Sequence, residues 1–170
     1  MARDITHILR LLLLALLAGL ATAASAATGA GIGTATTIAP LSVVKTDDLD
    51  FGNLIASGTA GTASVNASTD ARTTSGGTTA AGGAPMAAHF TAAGQIGAIA
   101  LIALPGSITL TRTAGLETMT VSSISSNGPT FRLFPATATI DVAVGGTLNV
   151  AANQVNGTYT GTFTVNILYF

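Results

Sequence analysis

The chain has 170 residues and a net charge of −1, with 6 Lys and Arg against 7 Asp and Glu. Charged residues are 8% of the total and apolar ones 48%, which excludes a highly solvated disordered protein and gives no basic surface to hold nucleic acid. Cysteine is absent, so stability has to come from packing and strand pairing rather than disulfides.

Residues 1–26 read as an export signal. Arg3 and Arg10 supply positive charge, Asp4 reduces it, and residues 11–20 are an apolar run of Leu and Ala with one Gly. Ala24-Ser25-Ala26 fits the small-x-small cleavage pattern. The run is too short to cross a bilayer, which takes about 20 residues, so cleavage after Ala26 is expected rather than a retained anchor. Taking 26 residues from 170 leaves 144, enough for one domain with a substantial core. That mature chain carries Lys45, Arg72, Arg112 and Arg132 against Asp47, Asp48, Asp50, Asp70, Glu117 and Asp141. Nothing after residue 20 reads as a transmembrane helix.

Residues 27–39 form an alternating lead. Gly29, Gly31 and Gly33 take one parity, while Ala30, Ile32, Thr34, Thr36 and Ile38 take the other. As a strand, one face is nearly bare at its start and allows close backbone approach. A flexible Gly-rich terminus is the equal alternative.

No helical periodicity follows. Short alternating or β-branched runs cover 41–46, 62–68, 87–92, 99–104, 107–112, 117–124, 130–134, 137–144 and 147–152, and the last run is 158–170. Turn-forming residues separate them, the pattern of an all-β sandwich. Asn127-Gly128-Pro129 and Pro105-Gly106 read as turns. Gly145-Gly146 reads as a hairpin connection between two runs. Residues 75–85, Ser-Gly-Gly-Thr-Thr-Ala-Ala-Gly-Gly-Ala-Pro, read as a low-complexity mobile loop.

Catalytic constellations are hard to assemble from these residues. His89 is the one histidine after the signal and sits in Ala-Ala-His-Phe-Thr, without a nucleophile elbow nearby. The N and S ligands of a zinc site are missing. Asp47, Asp48 and Asp50 lack the spacing and closing Glu of a calcium loop and read as a solvated strand start. Gly29-Ala-Gly31-Ile-Gly33 lacks the spacing of a dinucleotide fingerprint. Neither an enzyme nor a cofactor is expected.

The terminal run is the most informative. Counted from the end, Tyr169 is second, Ile167 fourth, Val165 sixth, Phe163 eighth, Tyr159 twelfth and Gly157 fourteenth. Period two makes one face apolar and the other mostly hydroxyl. A lipid-facing barrel strand needs apolar residues at the odd positions instead. Those hold Phe170 and Leu168, but then Asn166, Thr164, Thr162 and Thr160.

Even parity, the penultimate Tyr169 and the upstream Gly157 resemble the C-terminal strand of subunits assembled by the chaperone–usher route. Further segments are Pro40-Leu-Ser-Val43, Leu49-Asp-Phe-Gly-Asn-Leu54, Ala88-His-Phe90, Leu104-Pro105, Val144-Gly-Gly-Thr-Leu-Asn-Val150 and Gly157-Thr-Tyr-Thr-Gly161. In that order they are similar to a pilin-like family of bacterial exported proteins known as domain of unknown function four-four-zero-two. The resemblance implies an immunoglobulin-like (pilin-like) β-sandwich over 40–170, incomplete and completed by a donor strand. It implies a fimbrial subunit that meets a periplasmic chaperone, an outer-membrane usher and other subunits at the cell surface. Gly157, Tyr159, Phe163, Val165, Ile167 and Tyr169 would then form the strand bound by chaperone or neighbour, and Ala30, Ile32, Thr34, Thr36 and Ile38 the donor. Four such apolar side chains are worth about 6–12 kcal/mol of gross burial. The chain departs from better-known pilins in having no disulfide. The alternative is a self-contained Ig-like envelope domain that binds a glycan or protein.

Overall fold

The first and last strands among the described residues lie at the edges of two different sheets. In the computed structural model, which describes residues 32–170, the described residues contain eleven strands and no helix. The expected signal at 1–26 and Ala30 of the expected donor lie outside the described residues. Residues 32–36 belong to a separate unit, are exposed and form no strand. The following unit, Thr37–Phe170, holds all eleven strands.

The larger antiparallel sheet has the order β1 (Ser42–Asp47), β4 (Ala88–Ala93), β9 (Thr139–Val150), β7 (Thr118–Ser126), β6 (Ile108–Arg112) and β10 (Tyr159–Thr160). β2 (Leu54–Val65) also pairs with β9, and β3 (Arg72–Ala80) pairs with β2. The smaller sheet has the order β11 (Asn166–Tyr169), β5 (Ile99–Ala103) and β8 (Phe131–Leu133).

β9 organises the large sheet. Val144 pairs with Ala88 on β4 and with Ser126 on β7, so those strands lie on opposite sides of it. Beyond the reach of β4, the same side takes β2 through Gly146–Val150. The expected hairpin at Gly145-Gly146 is therefore corrected: runs 137–144 and 147–152 belong to one continuous strand. The glycines serve close approach instead. A Cβ on Gly145 would run into the Val65 carbonyl, and one on Gly146 into the side chain of Val121.

The expected loop at 75–85 is also corrected at its start. Residues 75–80 belong to β3, and 81–85 form the turn that follows. Its Ser, Thr and Gly content hides the strand, but those residues fit the site. Thr62 and Ser75 hydroxyls pair at 2.8 Å. Gly76 has φ of +63° and, with Gly77, lies against the Ala60 and Thr59 carbonyls where β2 bulges.

The terminal run 158–170 is likewise not one ladder. Its first part pairs with β6 as β10, and its last part pairs with β5 as β11. Residues 161–165 pass from one sheet to the other without joining either ladder. Alternation of burial persists through this passage: Phe163 and Val165 are half-buried, Thr162 and Thr164 are exposed. Phe163 touches both apolar clusters of the core. One cluster is built on Phe51, Val65, Ile108, Val121, Leu148 and Val150, the other on Ala100, Ile102, Phe134, Val142, Val144 and Ile167.

Gly145→Ala is expected to destabilise the fold by about 1–3 kcal/mol, because the added methyl meets backbone that cannot withdraw without breaking the β2–β9 ladder. A urea-unfolding midpoint that matches the unsubstituted protein would show that the approach is not tight.

Candidate functional site

β1 has an apolar half with nothing to cover it. Every one of its residues is exposed, including Val43 and Val44. It is an edge of the large sheet, and β11 is an edge of the small one. The two are not paired to each other. Tyr169 holds their ends in place: its hydroxyl accepts from the Gln95 N–H (2.7 Å) and donates to the Ala39 carbonyl (2.8 Å). The Gln95 side-chain oxygen in turn accepts from the Ala39 N–H (3.1 Å). The start of β1 thus sits beside the end of β11. At the far end, Leu49 and Phe51, which follow β1, share a groove with Phe163 and Tyr159, which precede β11. Of β1 itself only Lys45 lines this groove, and no residue of β11 does.

The groove has a volume of about 920 Å³. Leu49, Phe51, Leu54 and Ala56 form one wall, and residues 154–163 the other. Leu110, Met119, Leu148 and Val150 form the floor; the last three are buried members of one core cluster, so the groove reaches down to that cluster. Phe90 reaches in from β4 and meets the Phe163 ring edge-on at 6.2 Å. Polar groups stand among the lining residues: Lys45 and Asp48, which form an ion pair, with Asn53, Gln154 and Asn156.

The second wall is built stiffly. The Tyr159 hydroxyl donates to the Val155 carbonyl (2.6 Å) and accepts from the Gln154 side chain (2.7 Å). Gly157 has φ of +153°, and the aliphatic part of Arg112 lies where its side chain would be. Arg112 is itself fixed by Glu117 at 2.6 Å. That hydrogen bond holds the Glu117 carboxyl below its usual range.

Of the residues singled out at the C-terminus, Gly157, Tyr159 and Phe163 line the groove. Val165 and Tyr169 are half-buried, and Ile167 is buried within the chain's own core. Ile32, Thr34, Thr36 and Ile38 of the lead are exposed, outside any strand. The opposite wall and the floor carry no comparable sequence signal beyond the period-two spacing of Leu49 and Phe51.

A smaller hollow of about 200 Å³ lies around His89. His89 Nε2 is 3.0 Å from Asp70 Oδ1, which also accepts the Ala87 N–H at 2.9 Å. Asp70 sits at φ of +58°, a left-handed position that Asp tolerates. The backbone bond from Ala87, and then the bond to His89, hold its carboxyl below the usual range. Asp141 in the same hollow accepts the Thr91 hydroxyl at 3.0 Å. Two further acids are engaged locally: Asp50 accepts the Gly52 N–H (2.7 Å), and Asp48 pairs with Lys45. Among the described residues no cluster of three or more His, Asp or Glu is placed to hold a metal.

A family model described as domain of unknown function, DUF4402, matches residues 41–169. The chain belongs to this family. No curated protein matches it, and no solved structure does. The DUF4402 segment begins just before β1 and ends at Tyr169, so it takes in both walls of the groove and leaves the lead outside.

A carboxyl depressed in the folded state contributes stability that is present above its ordinary value, 3.8, and is lost as pH falls through the lowered one. Asp70→Asn should therefore narrow the difference in urea midpoint between pH 7 and pH 3. An unchanged difference would show that Asp70 is not a source of acid sensitivity.

Proposed function

We propose that this chain is a structural, non-catalytic subunit of a surface fibre, exported through the periplasm and assembled by donor-strand complementation along a chaperone–usher-like route. The reading treats the domain as an incomplete immunoglobulin-like sandwich. What carries it is the groove bordered by Leu49 and Phe51, which follow the unpaired edge β1, and by Tyr159 and Phe163, which precede the unpaired edge β11. An extended segment laid there gains backbone hydrogen bonds and apolar cover together. Left empty, such edges invite unspecific strand pairing, which gives a periplasmic chaperone its task. An outer-membrane usher would then exchange it for the next subunit.

The lead supplies a matching segment. Ala30, Ile32, Thr34, Thr36 and Ile38 share one parity, and nine residues from 30 to 38 span about 30 Å when extended. Ile32 and Ile38 are exposed, 93% and 62%, so neither is used where it stands. Insertion of one copy's lead into the next copy's groove is head-to-tail and does not close, which makes a fibre. The polar residues among the groove lining support a second reading, a self-contained Ig-like envelope domain that holds a glycan or a peptide there.

The test is production of the chain from Ala27 onward, with and without residues 27–39. SDS-resistant ladders are expected from the longer form and should vanish from the shorter. A synthetic peptide of residues 27–39 should raise the melting temperature of the shorter form by several degrees, and the peptide with Ile32→Asp and Ile38→Asp should not. Ladders that persist without the lead would overturn the donor role. A stable monomer that ignores the peptide would favour the second reading.

A further inference from the structure

The outer face of the small sheet is apolar across all three strands. β11, β5 and β8 align Leu168, Leu101 and Phe131 in one row. In the next row Ile99 is paired with Leu133, and Phe170 donates its backbone N–H to the Ile99 carbonyl. The inward positions of these strands, Ala100, Ile102 and Ile167, are buried, so the six larger side chains stand on the opposite face. Phe170 is 80% exposed and Leu133 62%, and Ile99, Phe131 and Leu168 lie between 41% and 52%. The Phe131 and Phe170 rings meet edge-on at 4.9 Å across the quilt.

No charged or hydrogen-bonding side chain interrupts these two rows. Arg132 lies on β8 between Phe131 and Leu133 but turns away, donating to the Asp141 and Pro129 carbonyls and to Asn127. Scattered exposed hydrophobics need no explanation, but a contiguous patch of this kind marks a contact.

We infer that this face is a self-association surface, which pairs with the same face of a second copy about a two-fold axis. Three properties select that occupant. The face is a flat grid of side chains, the shape that packs against another sheet at about 10 Å. With no charged side chain in the two rows, bringing the face against itself opposes no like charges, and an isologous contact needs only self-complementarity. The area is also sufficient. Six such side chains expose on the order of 500 Å² per copy, and about 1,000 Å² for a pair reaches the lower bound of a specific interface. The contact is accordingly weak and concentration-dependent. A bilayer fits less well, because no Lys or Arg of the face is available for headgroups. The inference is independent of the fibre reading. If fibres form, the patch would join them side by side, since it lies on the face of β11 opposite Ile167.

The chain has no cysteine, so one introduced thiol reports the contact. Leu101 lies at the centre of the patch, where the two-fold would bring it near its counterpart. Full-length L101C, oxidised and then boiled in SDS without reductant, should give a disulfide dimer at least tenfold faster than T120C, a control at an exposed position of β7. Adding F131S and F170S should slow it at least tenfold. L133T, a milder change on an exposed edge, should slow it several-fold and replaces the double variant if circular dichroism shows that to be unfolded. Boiling removes donor-strand ladders, so this result stands or falls apart from the fibre reading. Cross-linking of L101C no faster than T120C would overturn the proposal. So would a monomer that stays uncross-linked but sediments with phosphatidylcholine vesicles, which would assign the face to lipid.

Discussion

β9 hydrogen-bonds on both sides along half its length, and most of the molecule is arranged by how its neighbours divide it. Eight of its twelve residues are buried without a helix to cover them. One side is shared end to end by β4 and β2, while β7 runs along the other. Two strands can share one side only if the backbone passes closely where they meet. That place is Gly145-Gly146, hemmed in by Val65, Ala67 and Val121. The absent side chains are thus a condition of the topology. They let β2 leave the sheet with β3 while β4 carries β1 to the opposite edge.

The consequence falls on the C-terminal run. β6 and β5 lie in different sheets, and the run must serve both. It pairs with β6 through two residues, crosses, and pairs with β5 through four. In crossing it keeps its apolar residues turned to the core but cannot close the gap towards β1. Residues 161–163 and the connection that follows β1, with Lys45 of β1, therefore border an opening that Met119, Leu148 and Val150 also line. Residues 161–165 join no ladder there, and ladder positions left open in this way favour pairing with a further strand.

Much of this was legible in the sequence because strands report themselves by alternation. The parity of Phe163, Val165, Ile167 and Tyr169 correctly separates the inward from the outward face, even where no ladder exists. What stayed hidden has physical reasons. Gly-Gly serves equally for a hairpin turn and for close backbone approach, and only the neighbours of Gly145 decide between them. Residues 75–80 of β3 read as a loop because their Ser, Thr and Gly bury little, yet the strand is held in register against β2 by the Thr62–Ser75 hydroxyl pair and by glycines at the bulge. The split of the last strand depends on which sheets hold β5 and β6, a long-range fact absent from local pattern. One wall of the groove was legible for that reason, while the other wall and the floor come from five separate strands and connections.

Charge enters this molecule as internal fastening. Arg72 donates to the carbonyls of Phe51, Asn53 and Gly82, and so holds the start of β2 and the turn after β3 together. Arg132 ties β8 to the strands of the large sheet through Asp141 and Asn127. Arg112 braces Gly157 and pairs with Glu117, and Lys45 pairs with Asp48. Every cation of the described residues is thus engaged within the fold. What the surface offers a partner is of another kind: open ladder edges, an apolar groove and an apolar sheet face. Edges give direction and register through backbone hydrogen bonds, and apolar faces give free energy without a sign of charge. On β11 the two lie back to back. Ile167 and Tyr169 look inward past the open edge, and Leu168 and Phe170 look out, so that one four-residue strand and the residue after it border both surfaces.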